Sequence, residues 1–376
     1  MLLSEDHQAV QDAVRQFVQA EITPHAAAWD KSGQFPAVQL RGLAALGCYG
    51  VAVPTEYGGA GLDYLALALM LEEIAAGDGA TSTIVSVNNC PVCSILMAFG
   101  NEDQKQRFLK PLARGDMLGA FCLTEPHVGS EAGGLKTSAV LDGDDYVLNG
   151  VKQFITSGKN GDVAIVMAVT EKAAGKRGIS AFLVPTTTPG YTVARVEDKM
   201  GQHASDTAQI LFDNCRVPAA NRIGDEGQGL KIALSGLEGG RIGIASQSLG
   251  MARAAFEVAL AYSKDRQAFG VPIFQHQAVQ FKLADMATQI EATRQLIWHA
   301  ACLKDAGRPC LKEAAMAKLM ASEMAEAVCS GAIQVLGGYG YLSDFPVERI
   351  YRDVRVCQIY EGTSEVQKIL IGRALA

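Results

Sequence analysis

The sequence predicts an α+β fold in which helices, a small antiparallel β unit and a helix bundle follow one another along 376 residues. Apolar residues recur at helical spacing before about residue 115 and again after Gly227. Between these regions, short β-branched and aromatic runs alternate with turn signals. Because the strands are grouped rather than alternating with helices, a Rossmann sheet is disfavoured. We therefore expect three domains, at 1–118, 119–223 and 224–376.

The first domain is predicted to open with an amphipathic helix. Ser4 is a suitable N-cap because Glu5 and Asp6 follow it, and Pro24 ends the run. Apolar positions at helical spacing lie between them: Val10, Val14, Phe17, Val18 and Ile22. Further helical stretches are predicted at 64–76, 94–99 and 104–112.

The middle domain is predicted from its turn dipeptides, among them Asn149-Gly150 and Pro189-Gly190. Strands are expected at 162–170 and 179–185. At its start, the segment 121–130 carries small residues and the Thr124 and Ser130 hydroxyl groups. Such a segment can approach a planar or phosphorylated ligand, although an ordinary glycine loop has the same composition.

Long helices are expected again at 230–263, 275–304 and 311–336, and the last carries a wide, methionine-rich apolar stripe suited to bundle packing. Gly337-Gly338-Tyr339-Gly340 follows a helix rather than a strand, so we predict a helix C-cap and not a dinucleotide fingerprint. Arg266 lies close to Phe269 and Gly270, a pairing that suits a pyrophosphate beside a flat ring. A solvated arginine at a helix end is the alternative.

Composition limits the function classes. The formal net charge is −7, with 33 basic against 40 acidic residues, which argues against a nucleic-acid partner. Nine scattered cysteines predict a reducing compartment, and we interpret Cys90-Pro91-Val92-Cys93 as core residues. Six scattered histidines give no metal-ligand spacing, so no metal is expected. The sequence shows no signal peptide or run of eighteen apolar residues, which predicts a cytoplasmic protein without membrane insertion.

Near the C-terminus, Glu361 lies between an apolar pair and Gly362 in the segment 358–365. A tight turn there would bring the carboxylate close to a ligand, and apolar neighbours would raise its pKa toward the range of a general base. A helix end or a surface turn is the alternative for this segment alone.

Four ordered segments resemble the acyl-CoA dehydrogenase family of flavoproteins: CLTEPHVGS, RQAFG, QVLGGYGYL and QIYEGTSEVQKIL. The similarity extends over essentially the whole chain. It implies an N-terminal helical domain, a middle β domain and a C-terminal four-helix bundle, assembled as a homotetramer with one FAD per subunit. It also implies α,β-dehydrogenation of an acyl-CoA to the trans-2-enoyl-CoA, with electrons passed to an electron-transferring flavoprotein.

The resemblance also implies roles for individual residues. Glu361 would remove the α-proton while a β-hydride passes to flavin N5, and its backbone N–H would help to stabilise the enolate. Flavin contacts would be made by Phe121, Cys122, Leu123, Thr124, Gly129, Ser130, Phe154, Ile155, Thr156, Phe269, Thr363, Ser364 and Glu365. The ADP half of a neighbouring subunit's flavin would contact Arg266, His276, Gln277, Gln334, Val335, Leu336, Gly337 and Gly338. Substrate contacts would come from Ser130, Arg241, Gly362 and Arg373.

Some family members carry the base immediately before the arginine that matches Arg241. That position is Gly240 here, which leaves Glu361 as the candidate, and we interpret Glu238 as a structural or surface residue. Val128 and Glu131 depart from the family pattern beside the flavin segment, where they affect loop geometry rather than the reaction class.

The segment 236–246 is most similar to that of the short-chain and short-branched-chain members, so a short acyl group is expected. Each methylene in an apolar pocket contributes only about 1–3 kcal/mol of discrimination, so sequence leaves the exact chain open. A flavin oxidase or monooxygenase of the same fold is the rival enzyme. A catalytically silent acyl-CoA or flavin-binding protein is the rival from another class.

Overall fold

The structure is a computed structural model that describes residues 2–376. Its first part is helical, and Ser4 caps the first helix by accepting a hydrogen bond from the backbone N–H of His7, as predicted. The α-helix ends at Phe17 and continues as a π-helical turn, Val18–Ile22, before Pro24. The helices of this part are α1 Glu5–Phe17, α2 Ala26–Ser32, α3 Ala37–Ala45, α4 Tyr64–Gly77, α5 Gly79–Val87, α6 Ser94–Phe99, α7 Glu102–Gln104 and α8 Lys110–Arg114.

A single sheet of eight strands forms the middle part. The strands are β1 Gly119–Cys122, β2 Ser138–Asp142, β3 Asp145–Thr156, β4 Val163–Val169, β5 Ile179–Pro185, β6 Tyr191–Val196, β7 Thr207–Pro218 and β8 Arg222–Ile223. Their order is β6-β7-β3-β2-β4-β5-β8, and β1 pairs with β4. Most pairs are antiparallel, as expected, and strands β4 and β5 match the predicted strands closely.

The pairing of β1 with β4 is parallel, with Gly119 opposite Val163, and the turn pattern did not anticipate it. The physical reason is the connection. Residues 123–162, which include β2 and β3, separate β1 from β4, and a connection of this length lets β4 run beside β1 in the same direction.

Long helices return in the last part, near the bounds that the periodicity predicts. They are α9 Gly229–Asp265, α10 Gln277–Asp305, α11 Leu311–Leu336, α12 Val347–Val354 and α13 Ser364–Leu375; two short strands, β9 Gln267–Ala268 and β10 Val271–Pro272, lie between α9 and α10. Gly337 ends α11 with φ of +61°, in agreement with the predicted C-cap.

Helix α9 is the central element, since α10, α11 and α4 all pack against it. Small residues make these close approaches possible. A Cβ atom at Gly250 would lie 2.1 Å from the backbone oxygen of Glu72, so α4 could not lie as close to a larger residue. One helical run, Gly79–Phe99, is long and apolar enough to cross a membrane, but 72% of its most apolar window is buried inside the protein, as in a core helix.

Candidate active site

The backbone of Glu361 adopts an unusual conformation. Its φ is +54° and that of Gly362 is +88°, so two consecutive residues lie in the left-handed region. Glycine adopts this conformation freely, whereas a residue with a side chain does so at a cost of order 1 kcal/mol. Helix α13 begins directly afterwards, with Thr363 as its N-cap. The tight turn expected before this helix is therefore present.

Two buried side chains hold this turn. Lys318 Nζ donates to the backbone oxygen of Gly362 at 2.7 Å, and Gln367 Nε2 donates to the same oxygen at 2.8 Å. Gln367 Nε2 also reaches the backbone oxygen of Glu361 at 3.2 Å. Sequence reasoning missed both residues. The available signal was a lysine on the buried, alanine-rich face of α11.

The carboxylate of Glu361 lies against α9. A Cβ atom at Gly240 would be only 2.7 Å from Glu361 Oε2, so the absence of a side chain at Gly240 makes room for the carboxylate. Oε2 is fully buried and has no hydrogen-bond partner among the described residues 2–376. Burial raises the pKa of Glu361 to about 7, although the positive charges of Arg241 and Lys318 oppose the shift. A carboxyl group with this pKa can accept a proton near neutral pH.

Arg241 follows Gly240 on α9, and its positive charge acts on this carboxylate. Only 4% of the residue is exposed, and its Nε and Nη1 atoms are buried without hydrogen-bond partners in the part of the chain described. Burial lowers the pKa of the guanidinium, against the opposing charges of Glu361 and Glu238. An unsatisfied buried cation beside an unsatisfied buried carboxyl oxygen points to a site that receives a polar ligand.

Glu238 has a different environment. It pairs with Lys304 at 3.1 Å and accepts a hydrogen bond from the Cys310 thiol at 3.4 Å. These contacts support its interpretation as a structural residue. At Gly239, the next residue of α9, the space is limited, since a Cβ there would lie 3.0 Å from Cys90 Sγ and 3.1 Å from the Tyr64 ring.

The segment after β1 is anchored by a buried ion pair. Lys152 Nζ contacts Glu125 Oε1 at 2.9 Å and donates to the backbone oxygen of Leu123 at 3.1 Å. Phe121 and Thr124 remain partly exposed, as a ligand-facing segment requires. The side chains of Cys122 and Leu123 are buried in the core, so the structure does not present them to a ligand as the resemblance implies. Gly129 and Ser130 are exposed on the loop.

The end of β3 lies beside this segment, because the N–H of Gln153 donates to the oxygen of Thr124 at 2.8 Å. Phe154 has φ of +59° and is 64% exposed, whereas Ile155 is buried in the sheet core and Thr156 is partly exposed. Phe154 is thus a large aromatic side chain held outward by a strained backbone.

A second group of expected contacts forms a separate cleft of about 620 Å³. Its lining consists of Tyr262, Arg266, Ile273, Val335, Leu336, Gly337, Gly338, Tyr339 and Leu342. The guanidinium of Arg266 lies 5.8 Å from the centre of the Tyr339 ring. Phe269 is 97% exposed, and its ring centre lies 5.9 Å from that of His276.

The remaining expected contacts are more scattered. Gln277 and Gln334 are exposed, as are Glu365 and Arg373 on α13. Ser364 is buried, and its hydroxyl group has no partner within residues 2–376. Within the same residues, the structure has no group of three or more His, Cys, Asp or Glu side chains placed to hold a metal ion.

Comparison with known families identifies this combination of a helical domain, a β domain and a helix bundle. Models of the N-terminal, middle and C-terminal domains of acyl-CoA dehydrogenase match residues 4–116, 120–215 and 227–376. The chain therefore belongs to the acyl-CoA dehydrogenase family, a class of FAD-dependent oxidoreductases that act on acyl-CoA.

Individual relatives narrow the comparison. The mitochondrial short-chain specific acyl-CoA dehydrogenase of Homo sapiens is 48% identical over 98% of this chain and 90% of its own length. Butyryl-CoA dehydrogenase from Megasphaera elsdenii has a TM-score of 0.97 and 43% identity, covering 100% and 99% of the two chains. A chain from a structural study of the electron transferring flavoprotein of Acidaminococcus fermentans has a TM-score of 0.98 and 45% identity, covering 100% and 99%.

The residues present fit FAD. Phe121, Thr124 and the outward Phe154 offer partly exposed rings and a hydroxyl group at the end of β1 and β3. In the cleft, a Cβ atom at Gly337 or Gly338 would meet nothing within 4 Å, so the backbone is open to a ligand. Arg266 supplies a positive charge for a phosphate there.

Proposed function

We propose that this protein dehydrogenates a short, straight or branched acyl-CoA to the trans-2-enoyl-CoA, with Glu361 as the base that removes the α-proton. The observation that carries the proposal is the buried, unpartnered Oε2 atom of Glu361, which lies against Gly240 and has a pKa raised to about 7. A base with this pKa is ionised in useful amounts at neutral pH and still holds the proton it takes.

FAD, when bound, supplies the acceptor for the β-hydride. The residues proposed to hold its isoalloxazine ring are those at the ends of β1 and β3, and the cleft around Arg266 and Gly337 is proposed for the ADP half of a neighbouring subunit's FAD. Glu361 takes the α-proton as the Cα–Cβ single bond of the acyl group becomes a double bond, so one proton leaves Cα and one hydride leaves Cβ. The backbone N–H of Glu361 is proposed to donate to the thioester oxygen, where negative charge develops.

Two lines of support favour a short acyl group. The human relative is named as short-chain specific and the Megasphaera elsdenii enzyme as a butyryl-CoA dehydrogenase. In addition, Cys90 and the Tyr64 ring crowd the α9 surface at Gly239, next to Gly240, against which the carboxylate of the proposed base lies. A crowded pocket leaves little room for a long chain.

We further propose an electron-transferring flavoprotein as the electron acceptor, a homotetramer with shared FAD sites, and a cytoplasmic location. One structural neighbour comes from a study of such a flavoprotein, which supports this kind of acceptor. Phe269 is exposed near the second cleft, which supports the proposal that another subunit covers this surface. For the domains we keep the boundaries 1–118, 119–223 and 224–376; β8 ends at Ile223 and α9 begins at Gly229.

Anaerobic mixing of the FAD-loaded protein with butyryl-CoA, isobutyryl-CoA and octanoyl-CoA tests the proposal. We expect the flavin absorbance to bleach quickly with a four-carbon substrate and slowly with octanoyl-CoA. The rate constant should rise with pH and reach half its maximum near pH 7, because the base must be ionised and its pKa is about 7.

Glu361→Gln should retain FAD and bind butyryl-CoA but lose bleaching by at least about a thousandfold, since the amide cannot take the proton. Glu238→Gln is the matched control, because Glu238 is a neighbouring carboxylate that pairs with Lys304. Bleaching of the Glu361→Gln variant at the wild-type rate would remove Glu361 from the mechanism. FAD binding without bleaching by any of the three thioesters would favour the oxidase, monooxygenase or silent-binding alternatives.

A further inference from the structure

Two buried donors converge on two consecutive backbone oxygens beside the proposed base. Lys318 on α11 and Gln367 on α13 are both 0% exposed. Lys318 binds the oxygen of Gly362, and Gln367 binds the oxygens of both Glu361 and Gly362. We call Lys318 and Gln367 the carbonyl clamp.

Packing alone does not explain a lysine at this position. Its neighbours on the buried face of α11 are small residues, including Ala314, Ala317 and Ala321. Burial lowers the pKa of Lys318 to about 8, with the nearby charge of Arg241 acting in the same direction. An apolar side chain would avoid the cost of burying an ammonium group, so the polar contact is the reason for the lysine.

The carbonyl clamp contacts the turn whose backbone conformation is intrinsically unfavourable. Glu361 and Gly362 have φ of +54° and +88°. A conformation of this kind persists only when surrounding contacts enforce it. Fixing the oxygens of two successive peptide groups fixes the planes of those groups, and thereby the direction in which the Glu361 side chain leaves the backbone toward Gly240.

We propose that Lys318 and Gln367 are positioning residues for the base: they hold the turn that aims the Glu361 carboxylate at the substrate, and the ammonium of Lys318 also stabilises the ionised carboxylate. The inference rests on the proposed role of Glu361. The charged and titratable groups around Lys318 are Glu361 on the turn, Arg241 on α9, Glu365 on α13 and Cys357 on the turn after α12. Lys318 and Arg241 both lower the pKa of Glu361 against the effect of burial.

The first test is Lys318→Met in the FAD-loaded protein. Loss of a positive charge near a carboxylate should move the pH at half-maximal flavin reduction upward by roughly 1 unit, with roughly fivefold slower reduction at pH 7 because a smaller fraction of the base is ionised. Lys318→Arg retains the charge and should bring this midpoint back toward the wild-type value. Lys368→Met is the control, because Lys368 is an exposed lysine on α13 that pairs with Glu323. It removes the same charge and should leave the midpoint unchanged.

Gln367→Met separates the hydrogen bonds from the charge. It should slow flavin reduction at every pH while the midpoint stays in place, since no charge is lost. This variant also decides the question if Lys318→Met fails to fold. A folded, FAD-containing Gln367→Met protein with wild-type rates would overturn the clamp, and so would a Lys318→Met protein with an unchanged midpoint.

A measurement without turnover completes the test. The infrared absorption of the Glu361 carboxyl group, isolated as the difference between wild type and Glu361→Gln, reports its ionisation directly. Its titration midpoint should be higher in Lys318→Met than in wild type, and an equal midpoint would contradict the proposal. If Glu361→Gln is inactive but both clamp variants behave as wild type, only the clamp is overturned. If Glu361→Gln remains active, the proposed function itself is wrong.

Discussion

Glu361 has a left-handed backbone, a buried carboxyl oxygen without a hydrogen-bond partner and a raised pKa. Each of these features disfavours the folded state. The raised pKa determines the direction in which pH changes the stability of the folded state. Ionisation of Glu361 opposes folding, so its unfavourable contribution is absent below the ordinary pKa of 4.5 and grows as the pH rises toward about 7. Strain of this kind is typical of functional residues, which other contacts must stabilise.

At Gly240, the structure predicts that adding a single methyl group displaces the Glu361 carboxylate. Gly240→Ala would place a Cβ atom 2.7 Å from Glu361 Oε2, and the carboxylate must move to relieve the contact. Because a displacement of about 1 Å can slow a reaction roughly a hundredfold, we expect a loss of about that size in flavin reduction by butyryl-CoA. Stopped-flow absorbance measures it.

The control for this variant is Gly372→Ala in α13, where a Cβ atom would meet nothing within 4 Å. It should leave flavin reduction unchanged and raise the free energy of unfolding by up to about 1 kcal/mol, because alanine favours a helix. A Gly240→Ala protein that bleaches as fast as this control would show that the carboxylate tolerates the added atom.

Among the strands, a residue of β3 holds the segment that follows β1. Glu125, which follows β1, accepts hydrogen bonds from the N–H groups of Lys136 and Thr137 as well as from Lys152. Burial acts to raise the pKa of Glu125, but Lys152 and these hydrogen bonds outweigh it and the pKa is lowered. The pair therefore stays ionised in the interior and fixes the loop that carries the proposed flavin contacts.

Lys152→Met should leave the Glu125 carboxylate buried without its cation, since Lys152 is 0% and Glu125 3% exposed. Loss of one partner of a buried pair costs about 3–5 kcal/mol, so we expect a decrease of that order in the free energy of unfolding and weaker retention of FAD. Chemical denaturation and FAD titration measure the two effects.

Lys136→Met is the control for Lys152→Met, because the side chain of Lys136 is exposed and only its backbone N–H contacts Glu125. Its free energy of unfolding should change by less than about 0.5 kcal/mol. Equal stability of the Lys152→Met and wild-type proteins would show that the loop does not depend on the ion pair.

At the scale of the whole molecule, polar contacts join all three parts. Arg352 on α12 donates to Asp30 on α2 at 2.6 Å, and His203 of the middle part contacts the same carboxylate at 2.7 Å. Nearby, the N–H of Gln202 donates to the buried Asp353, and burial raises the pKa of Asp353 to about 7. These contacts fix the orientation of the helical and β parts around the site.

Arg352→Met should weaken this junction by removing the cation that Asp30 and Glu348 share. The pairs are partly exposed, so we expect a loss of about 1–2 kcal/mol in the free energy of unfolding, less than for a fully buried pair. Urea denaturation measures it. Arg107→Met is the control, because Arg107 pairs with Asp103 on the exposed surface, and it should change stability by less than about 0.5 kcal/mol. Similar losses in both variants would argue against a special role of the junction.

Sequence alone determined the order of the three parts, the long helices and the family, because periodicity and contiguous motifs are local properties of the chain. It also offered Glu361 as a candidate base, but the local pattern left a helix end or a surface turn open, and the resemblance to the family favoured the base. It did not predict the parallel pairing of β1 with β4, which depends on how the chain returns to β1 after β2 and β3.

The residues that surround Glu361 come together only when the chain folds. Gly240 is 121 positions away in the chain and Lys318 is 43 positions away, yet both contact the turn or its carboxylate. Contacts between residues so far apart depend on helix packing, because the side chains of α9, α11 and α13 meet only after the bundle forms. For the same reason, the raised pKa of Glu361 follows from burial that no local sequence pattern measures.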